Sequence, residues 1–342
     1  MSGKVKWGIL GGGIIANDFI APAIQHSKNA ELVAVYSRSR EKAEIFAKRH
    51  QIPYYYDNKE GFFRNETIEV VYISTPNSHH HIDVIKAAKK SKHIFCEKPM
   101  ATNLEDALLM KQECLSNEVK FGLAFMFPFH PLSKLAKEWI IRGRIGEIQL
   151  VSANFIFDLP ECEKVNPWRF QPELSGGGAV IEVGCHCVNI LNYLIGKKIV
   201  SISAMMNRDR WQAPSESIGI ISFQYENQIM GQITVANNIS GAGPYGMNFM
   251  IHGKEGSIIG LGNMNRYPSG TLIFRNRLGH EEIVSLPLSS RLDLYIEEIE
   301  RFSDVILNQS LPYVGLEDGI YNLKIILAAY ESASLGHAVQ IK

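Results

Sequence analysis

Two ionisable side chains in this sequence stand where acid–base chemistry is expected. Lys98 follows the apolar run 93–96, and His186 lies four residues after Glu182. An ammonium in a partly desolvated cleft loses some of its preference for the charged form, so Lys98 could serve as a general acid or base. If residues 178–195 form a helix, Glu182 and His186 share one face and could handle a proton together. The alternatives are a surface lysine and a core histidine.

A glycine-rich segment follows the first apolar run, at 5–10, and contains the pattern G-x-G-x-x-A. In such a segment Gly11 would make the tight turn, Gly13 would let a pyrophosphate approach the backbone, and Ala16 would keep helix and strand close. The phosphates would then lie at the helix N-terminus. We therefore expect a dinucleotide cofactor, bound in part by Gly11, Gly12, Gly13, Ile14 and Ile15.

The end of the second predicted strand bears on which dinucleotide is bound. An NAD site has a carboxylate here for the ribose diol, whereas this chain has Ser37 and Arg38, with Lys42 one helical turn further on. A hydroxyl and two cations suit the 2′-phosphate of NADP. The alternative is that these cations only begin a solvated helix. The residues favour NADP(H) over NAD(H).

Histidines and cysteines cluster at two places, and neither spacing favours a metal. His79, His80 and His81 are consecutive, so their side chains point in different directions, whereas metal ligands more often stand three or four residues apart. On a helix, Cys185 and Cys187 would diverge by roughly 200°. We predict no metal site.

The segment before these histidines lies at the carboxyl end of a predicted strand, on the side where parallel sheets bind ligands. It reads Ser74-Thr75-Pro76-Asn77. We expect Asn77 to contact cofactor or substrate, and His80 to cap or pack nearby.

Short β-branched runs alternate with amphipathic segments from residue 4 to about 124, the rhythm of parallel βαβ units. The pattern predicts a Rossmann domain over 1–124, with a doubly wound parallel sheet. Its five predicted strands cover 5–10, 31–37, 70–74, 93–96 and 120–124.

The pattern changes after residue 124, where strands follow one another through short turns. This is typical of a large, mainly antiparallel open sheet, and we predict an α+β substrate-binding domain over 125–342. A helix is predicted near 131–142, and beyond it only 178–195, 292–307 and 316–335 are predicted to be helical. Because one face of an open sheet needs cover, we expect a homo-oligomer, either a dimer or a tetramer, with a monomer as the alternative.

The composition excludes several classes of protein. Lys+Arg and Asp+Glu both number 35 among 342 residues, which gives no electrostatic reason to expect nucleic acid. The longest apolar stretch, 179–196, is interrupted by Glu182 and His186, and the first residues lack a signal-peptide pattern, so we expect no membrane association. Five cysteines without a repeated Cys-x-x-Cys spacing predict a reducing cytoplasm.

Together, these motifs resemble the family of glucose-fructose oxidoreductase, inositol dehydrogenase and MocA. Glu97-Lys98-Pro99 resembles its E-K-P signature, and the segment 75–80 resembles its T-P-N-x-x-H. Residues 176–186 resemble its G-G-G-x-x-x-D-x-G-x-H, although Glu182 replaces the usual Asp, and 317–319 resemble its E-D-G. The resemblance implies an NAD(P)-dependent oxidoreductase with catalytic Lys98 and His186, assisted by Glu182. It also implies cofactor contacts from Ser74, Thr75, Pro76, Asn77, His80, Glu97 and Lys98.

Within the family, the likeness is greater to NADPH-dependent sugar reductases, through segments 7–10, 167–169, 252–257 and 294–295. It implies that Trp168, Arg169 and Tyr295 help to bind the cofactor. The implied reaction is hydride transfer between NADP(H) and a carbonyl or secondary alcohol of a sugar, polyol or related cyclic compound. The alternatives are an oxidative sugar or dihydrodiol dehydrogenase and a non-catalytic NADPH sensor.

Overall fold

The computed structural model describes residues 3–159, 167–207, 215–289 and 292–341, which fold into two compact units. The first unit comprises Met1–Phe125 and Arg291–Ile320, and the second comprises Met126–Ser290 and Tyr321–Lys342. The sequence assigns everything after 124 to the second domain. The contacts instead gather residues 291–320 with the first unit.

The first unit is built on a six-stranded parallel sheet in the order β3-β2-β1-β4-β5-β6. This confirms the doubly wound architecture, with one strand more than the sequence predicts. The extra strand, β3, has three residues and lies at the sheet edge. The strands are β1 (Val5–Leu10), β2 (Ala30–Tyr36), β3 (Tyr54–Tyr56), β4 (Val70–Ile73), β5 (His93–Cys96) and β6 (Phe121–Leu123).

The helices of the first unit connect these strands, and a late segment of the chain joins them. Trp7 of β1 donates its indole N–H to Ser303 Oγ at 3.1 Å, and its ring lies 5.9 Å from Phe302. This packing explains why 293–308 belongs to the first unit. The helices are α1 (Ala21–His26, after a π-helical turn Ala16–Ile20), α2 (Arg40–His50), α3 (Lys59–Arg64), α4 (His80–Ala88), α5 (Leu104–Ser116) and α10 (Asp293–Asn308).

The second unit contains a nine-stranded sheet in the order β14-β13-β12-β11-β7-β10-β9-β8-β15. All neighbouring pairs are antiparallel except β7 and β10, which confirms the predicted, mainly antiparallel sheet. Its strands are β7 (Ile148–Ile156), β8 (Ile199–Asn207), β9 (Ile218–Tyr225), β10 (Met230–Ala236), β11 (Met247–Gly253), β12 (Gly256–Leu261), β13 (Gly270–Asn276), β14 (Glu281–Leu286) and β15 (Val339–Gln340).

Helices of the second unit pack against this sheet. One helical stretch among the described residues, Pro172–Ile195, is long and apolar enough to span a membrane, but 83% of its apolar window is buried inside the protein. Burial of that kind is typical of a core helix. The helices are α6 (Pro131–Ile141), α7 (Pro172–Ser175), α8 (Cys185–Ile195, after a π-helical turn Val180–Gly184), α9 (Gly243–Gly246) and, from Tyr321 onward, α11 (Leu316–Leu335).

Candidate active site

The glycine-rich segment links the ends of three strands. Gly11 has φ +115°, and a Cβ placed on it would lie 2.8 Å from the carbonyl oxygen of Ser74. Its N–H donates to the Tyr36 carbonyl at 3.1 Å, and its carbonyl accepts the Ser74 hydroxyl at 2.8 Å. Only glycine combines this backbone conformation with so close an approach. Ser74 therefore holds the loop in place.

Gly13 faces open space. An ideal Cβ on Gly13 has no described heavy atom within 4 Å, and Ile14 is 46% exposed. The Gly13 carbonyl accepts the Asn17 N–H at 2.9 Å, so the helix starts directly here, with Ala16 fully buried. A bare backbone at a helix N-terminus fits the pyrophosphate of a dinucleotide.

The tip of β2 carries a hydroxyl followed by exposed cations. The Ser37 N–H donates to the Tyr56 carbonyl at 3.1 Å, which fixes this tip against β3. Arg38 and Lys42 are exposed, and the Lys42 N–H donates to Ser39 Oγ at the start of α2. The helix cap uses only the backbone N–H of Lys42, so the exposed side chains of Arg38 and Lys42 can interact with an anion.

The Thr75 side chain points to a buried carboxylate that sequence reasoning missed. Its hydroxyl donates to Asp83 Oδ2 at 3.0 Å, and Lys59 Nζ lies 2.5 Å from Asp83 Oδ1. Asp83 is fully buried in α4, and Lys59 Nζ also lies 5.9 Å from the ring centre of Tyr36. The Asp83 carboxylate of α4 therefore connects Thr75 of the loop with Lys59 of α3.

His80 joins two of the predicted segments. It is fully buried, and its ring nitrogens each lie 2.9 Å from a backbone oxygen, one on Thr75 and the other on Pro99. Burial lowers the pKa of this imidazole. His80 thus acts as a protein-internal bridge, and its direct contact with the cofactor stays a prediction.

Lys98 lies half-buried after β5, and its peptide bond to Pro99 is cis. Its N–H donates to the Glu97 carboxylate at 3.3 Å. That carboxylate also accepts the hydroxyl of the fully buried Tyr72, and burial raises the pKa of Tyr72 well above its usual range. Glu97 is therefore anchored by the hydroxyl of Tyr72 on the neighbouring strand β4.

A second buried carboxyl in the first unit was also missed. Glu298 of α10 is 3% exposed, and burial, followed by the charge of Glu97, raises its pKa well above the usual range. On the same helix Tyr295, a predicted cofactor residue, is buried with its ring 5.1 Å from Phe19. No motif in a single sequence marks Glu298.

In the second unit, the segment with Glu182 and His186 is helical, as predicted. Val180–Gly184 form a π-helical turn before α8 begins at Cys185, a departure from α geometry that the sequence did not indicate. Residues four apart remain on one side of the wider turn. Single π turns within helices are frequent at functional sites.

Aromatic rings surround the His186 imidazole. It is 7% exposed, with ring centres 4.9 Å from Phe127 and 6.0 Å from Phe155, the latter stacked. This environment limits access of water to the imidazole.

Arg169 forms an ion pair with Glu182, and its guanidinium lies 5.6 Å from the ring centre of Trp168. All three residues belong to the second unit. Arg169, a predicted cofactor residue, thus holds the predicted catalytic carboxylate, and Trp168, the other, packs against the Arg169 guanidinium. A contact of either with cofactor stays a prediction.

Among the described residues, no group of three or more His, Cys, Asp or Glu side chains is arranged to hold a metal ion. Cys96, Cys114, Cys185 and Cys187 are buried, and Cys162 lies outside the described residues. Burial raises the pKa of the Cys114 thiol to about 12, so it is an inert core residue.

Two family descriptions match the chain along most of its length. The oxidoreductase family with an NAD-binding Rossmann fold matches residues 5–125, and the GFO/IDH/MocA C-terminal domain matches residues 133–259. The chain belongs to the GFO/IDH/MocA family of oxidoreductases. It is therefore an oxidoreductase, and the predicted family is confirmed.

Named relatives of this family member act on sugars. The chain is 27% identical to 1,5-anhydro-D-fructose reductase of Ensifer adhaerens, with 98% of each chain covered. It is 26% identical to D-xylose 1-dehydrogenase (NADP(+)) 2 of Haloferax volcanii, over 98% of this chain and 100% of the relative.

A solved structure of levoglucosan dehydrogenase in complex with NADH and levoglucosan shares the fold, with a TM-score of 0.87 at 22% identity. The match covers 99% of both chains. The chain therefore shares the fold of that protein over nearly its whole length.

Proposed function

We propose that this protein transfers a hydride between NADP(H) and a carbonyl or secondary alcohol of a sugar, polyol or related cyclic compound. The observation that carries the proposal is the open backbone at Gly13, after β1 of a sheet in which Ser37 and Arg38 follow β2, Thr75 follows β4 and Lys98 follows β5. The sugar class is supported by the names of the relatives.

When bound, the nicotinamide would supply or accept the hydride. In the reductive direction Lys98 Nζ protonates the developing alkoxide, and in the oxidative direction it removes the proton from the alcohol. His186 supplies or relays that proton, shielded from water by Phe127 and Phe155. Glu182, held by Arg169, orients the proton-handling groups.

The preference for NADP(H) is supported by the tip of β2. Exposed Arg38 and Lys42 can pair with a 2′-phosphate, and Ser37 can donate to it, whereas a carboxylate at position 37 would repel it. The relatives differ on this point: the Haloferax volcanii enzyme is named for NADP(+), and levoglucosan dehydrogenase was solved with NADH.

The deciding experiment follows nicotinamide absorbance with each cofactor. NADPH and NADH are supplied with 1,5-anhydro-D-fructose and other ketosugars, and NADP⁺ and NAD⁺ with D-xylose, levoglucosan and dihydrodiols. Turnover that is faster with NADPH or NADP⁺ supports the proposal. Equal or better turnover with the NAD forms overturns the cofactor assignment, and tight NADPH binding without turnover identifies a sensor.

We also propose a homo-oligomer, dimer or tetramer, formed through the open face of the nine-stranded sheet. Strand pairing places one residue each from β14, β13, β12 and β11 side by side in a row, and all four residues are apolar. The row runs Ile283, Ile273, Ile259 and Met250, and the exposed Leu150 and Met230 pair in a neighbouring row. Light scattering on the purified protein measures the assembly mass, and a monomer at micromolar concentration overturns this part. Cytoplasmic location stays a prediction.

A further inference from the structure

The triple glycine before the π-helical turn serves close packing within the second unit. A Cβ on Gly178 would lie 1.8 Å from the carbonyl oxygen of Glu216, and one on Gly177 would lie 2.1 Å from the hydroxyl of Tyr330. Gly177 also has φ +149°, which other residues rarely adopt. A side chain at either glycine would therefore clash with Glu216 or Tyr330, which lie far away in the sequence.

Glu216 satisfies the first three N–H groups of the helix. Its carboxylate accepts from Gly178 at 2.9 Å and from Val180 at 2.8 Å, and its own backbone carbonyl accepts from Ala179 at 3.0 Å. Glu216 lies just before β9 and is 5% exposed. A carboxylate at this end also interacts favourably with the helix dipole.

Tyr330 of α11 completes the arrangement. Its hydroxyl lies 3.3 Å from the Ile181 nitrogen, which donates to it, and it donates in turn to Glu216 Oε1 at 2.7 Å. A helix start leaves four N–H groups without intrahelical partners. Here two side chains and one carbonyl use all four, so none is left for a phosphate or another anion.

Burial raises the pKa of the Glu216 carboxyl, and the hydrogen bonds that it accepts from Tyr330, Val180 and Gly178 oppose that shift. The same helix carries Glu182 and His186, four and eight residues after Gly178.

We infer that Glu216 and Tyr330 are positioning residues, which fix the start and the rotation of the helix that presents Glu182 and His186 to the reaction. The inference rests on the proposed function for the roles of those two residues. A displacement of about 1 Å in a reacting group can lower the rate by about a hundredfold. A cap that fixes the helix start can therefore control turnover without touching the substrate.

Three variants remove the hydrogen bonds at the helix start to different degrees. Glu216→Ala removes the carboxylate, Glu216→Gln keeps one acceptor oxygen, and Tyr330→Phe removes only the hydroxyl. We expect kcat to fall about tenfold or more in the alanine variant and by less in the other two, with substrate KM and NADPH affinity within about twofold of wild type. Glu226→Gln, an exposed residue in the turn after β9, is the matched control and should leave every value unchanged.

Two readouts that do not depend on turnover accompany the kinetics. Hydrogen exchange of the amides of 178–181 should accelerate in Glu216→Ala, and the imidazole NMR signals of His186 should move. Unchanged exchange overturns the cap, and faster exchange with unchanged kcat and His186 signals overturns the positioning role. If the wild type turns over no sugar, the proposed function fails while exchange and NMR still decide the inference. Should the alanine variant not fold, Glu216→Gln and Tyr330→Phe carry the same test.

Discussion

Thr75 and Asp83 share a hydrogen bond of 3.0 Å, with the hydroxyl as donor and the buried carboxylate as acceptor. Because Lys59 pairs with the other oxygen of Asp83, the loop after β4 is held by a helix and by a cation from a second helix. The Thr75 side chain therefore stiffens the loop rather than reaching outward. The position of the loop is therefore fixed by Asp83 and Lys59.

This ion pair predicts an asymmetry between its two partners. Lys59→Met leaves the fully buried Asp83 without its cation and should lower the free energy of unfolding by about 3 kcal/mol. Asp83→Asn keeps an acceptor for Thr75 and leaves an ammonium that can turn to water, so we expect a loss of about 1 kcal/mol. Urea denaturation measures both. Lys48→Met, which breaks the exposed pair with Glu44, is the control and should change little. A larger loss for Asp83→Asn would contradict this account.

The tip of β2 predicts a change of cofactor preference. Arg38→Ala should raise the KM for NADPH about tenfold and leave that for NADH unchanged, since it removes a partner of the 2′-phosphate alone. Ser37→Asp should favour NADH, because its carboxylate accepts the ribose diol and repels the phosphate. Steady-state kinetics with both cofactors measure the ratio, with Lys48→Ala in the following helix, α2, as control. Equal effects on the two cofactors would refute the assignment.

Lys98 is expected to handle the proton of the reaction. Lys98→Met keeps most of the side-chain volume but has no ionisable group, so kcat should fall by about a thousandfold. NADPH binding, followed by fluorescence titration, should stay within about threefold of wild type. Lys89→Met changes an exposed lysine of the same unit and should keep full activity. Turnover retained by Lys98→Met would remove it from the chemistry.

Because Arg169 forms an ion pair with Glu182, two roles of the arginine can be distinguished by measuring kcat and NADPH affinity. If Arg169 acts through Glu182, Arg169→Leu should lower kcat about tenfold and leave NADPH affinity unchanged, because the carboxylate loses its cation. If Arg169 binds the cofactor, NADPH affinity falls instead. We expect the first result. Arg142→Leu, whose exposed partner is Glu138, provides the control.

Burial of His130 predicts a loss of stability in mild acid. Its Nδ1 accepts the Leu132 N–H at 3.1 Å, its Nε2 lies 3.1 Å from the Ser269 carbonyl, and burial lowers its pKa to about 4. The unfolded chain binds this proton near pH 6.5, so the contribution is present above that value and is lost between about pH 6.5 and 4. Its size is about 3 kcal/mol. His130→Asn keeps an acceptor for the helix start, and its unfolding free energy should fall less between pH 7 and 4.5.

The strands were predictable because alternation and β-branched runs report burial directly. Strand β1 is found at its predicted residues, and β5 likewise. The three-residue β3 escaped because Tyr54–Tyr56 has no alternation and gains its pairing only from β2. The packing of 293–308 against the first unit could not be predicted, since Trp7 lies 296 residues from Ser303 and Gly122 lies 180 residues from Phe302.

The predicted site residues are those with local signatures, such as Gly11 and Lys98. Asp83, Glu216 and Glu298 carry no local signature, because their partners are brought to them by the fold. Glu216 and Tyr330 are 114 residues apart, and no periodicity in one sequence couples them. The π-helical turns were missed for a related reason, since propensity distinguishes helix from strand but not the width of a turn.

Each of the two π-helical turns accommodates one residue more than an α turn. Deleting one residue other than Glu182 from Val180–Gly184 would therefore let the backbone rewind as α-helix with its hydrogen-bond ladder intact. The residues before and after the deletion would keep nearly the same orientation about the helix axis, because the extra residue adds no further turn. A one-residue deletion is thus better tolerated within this π turn than within α8, where it would rotate the residues on either side by about 100° against each other.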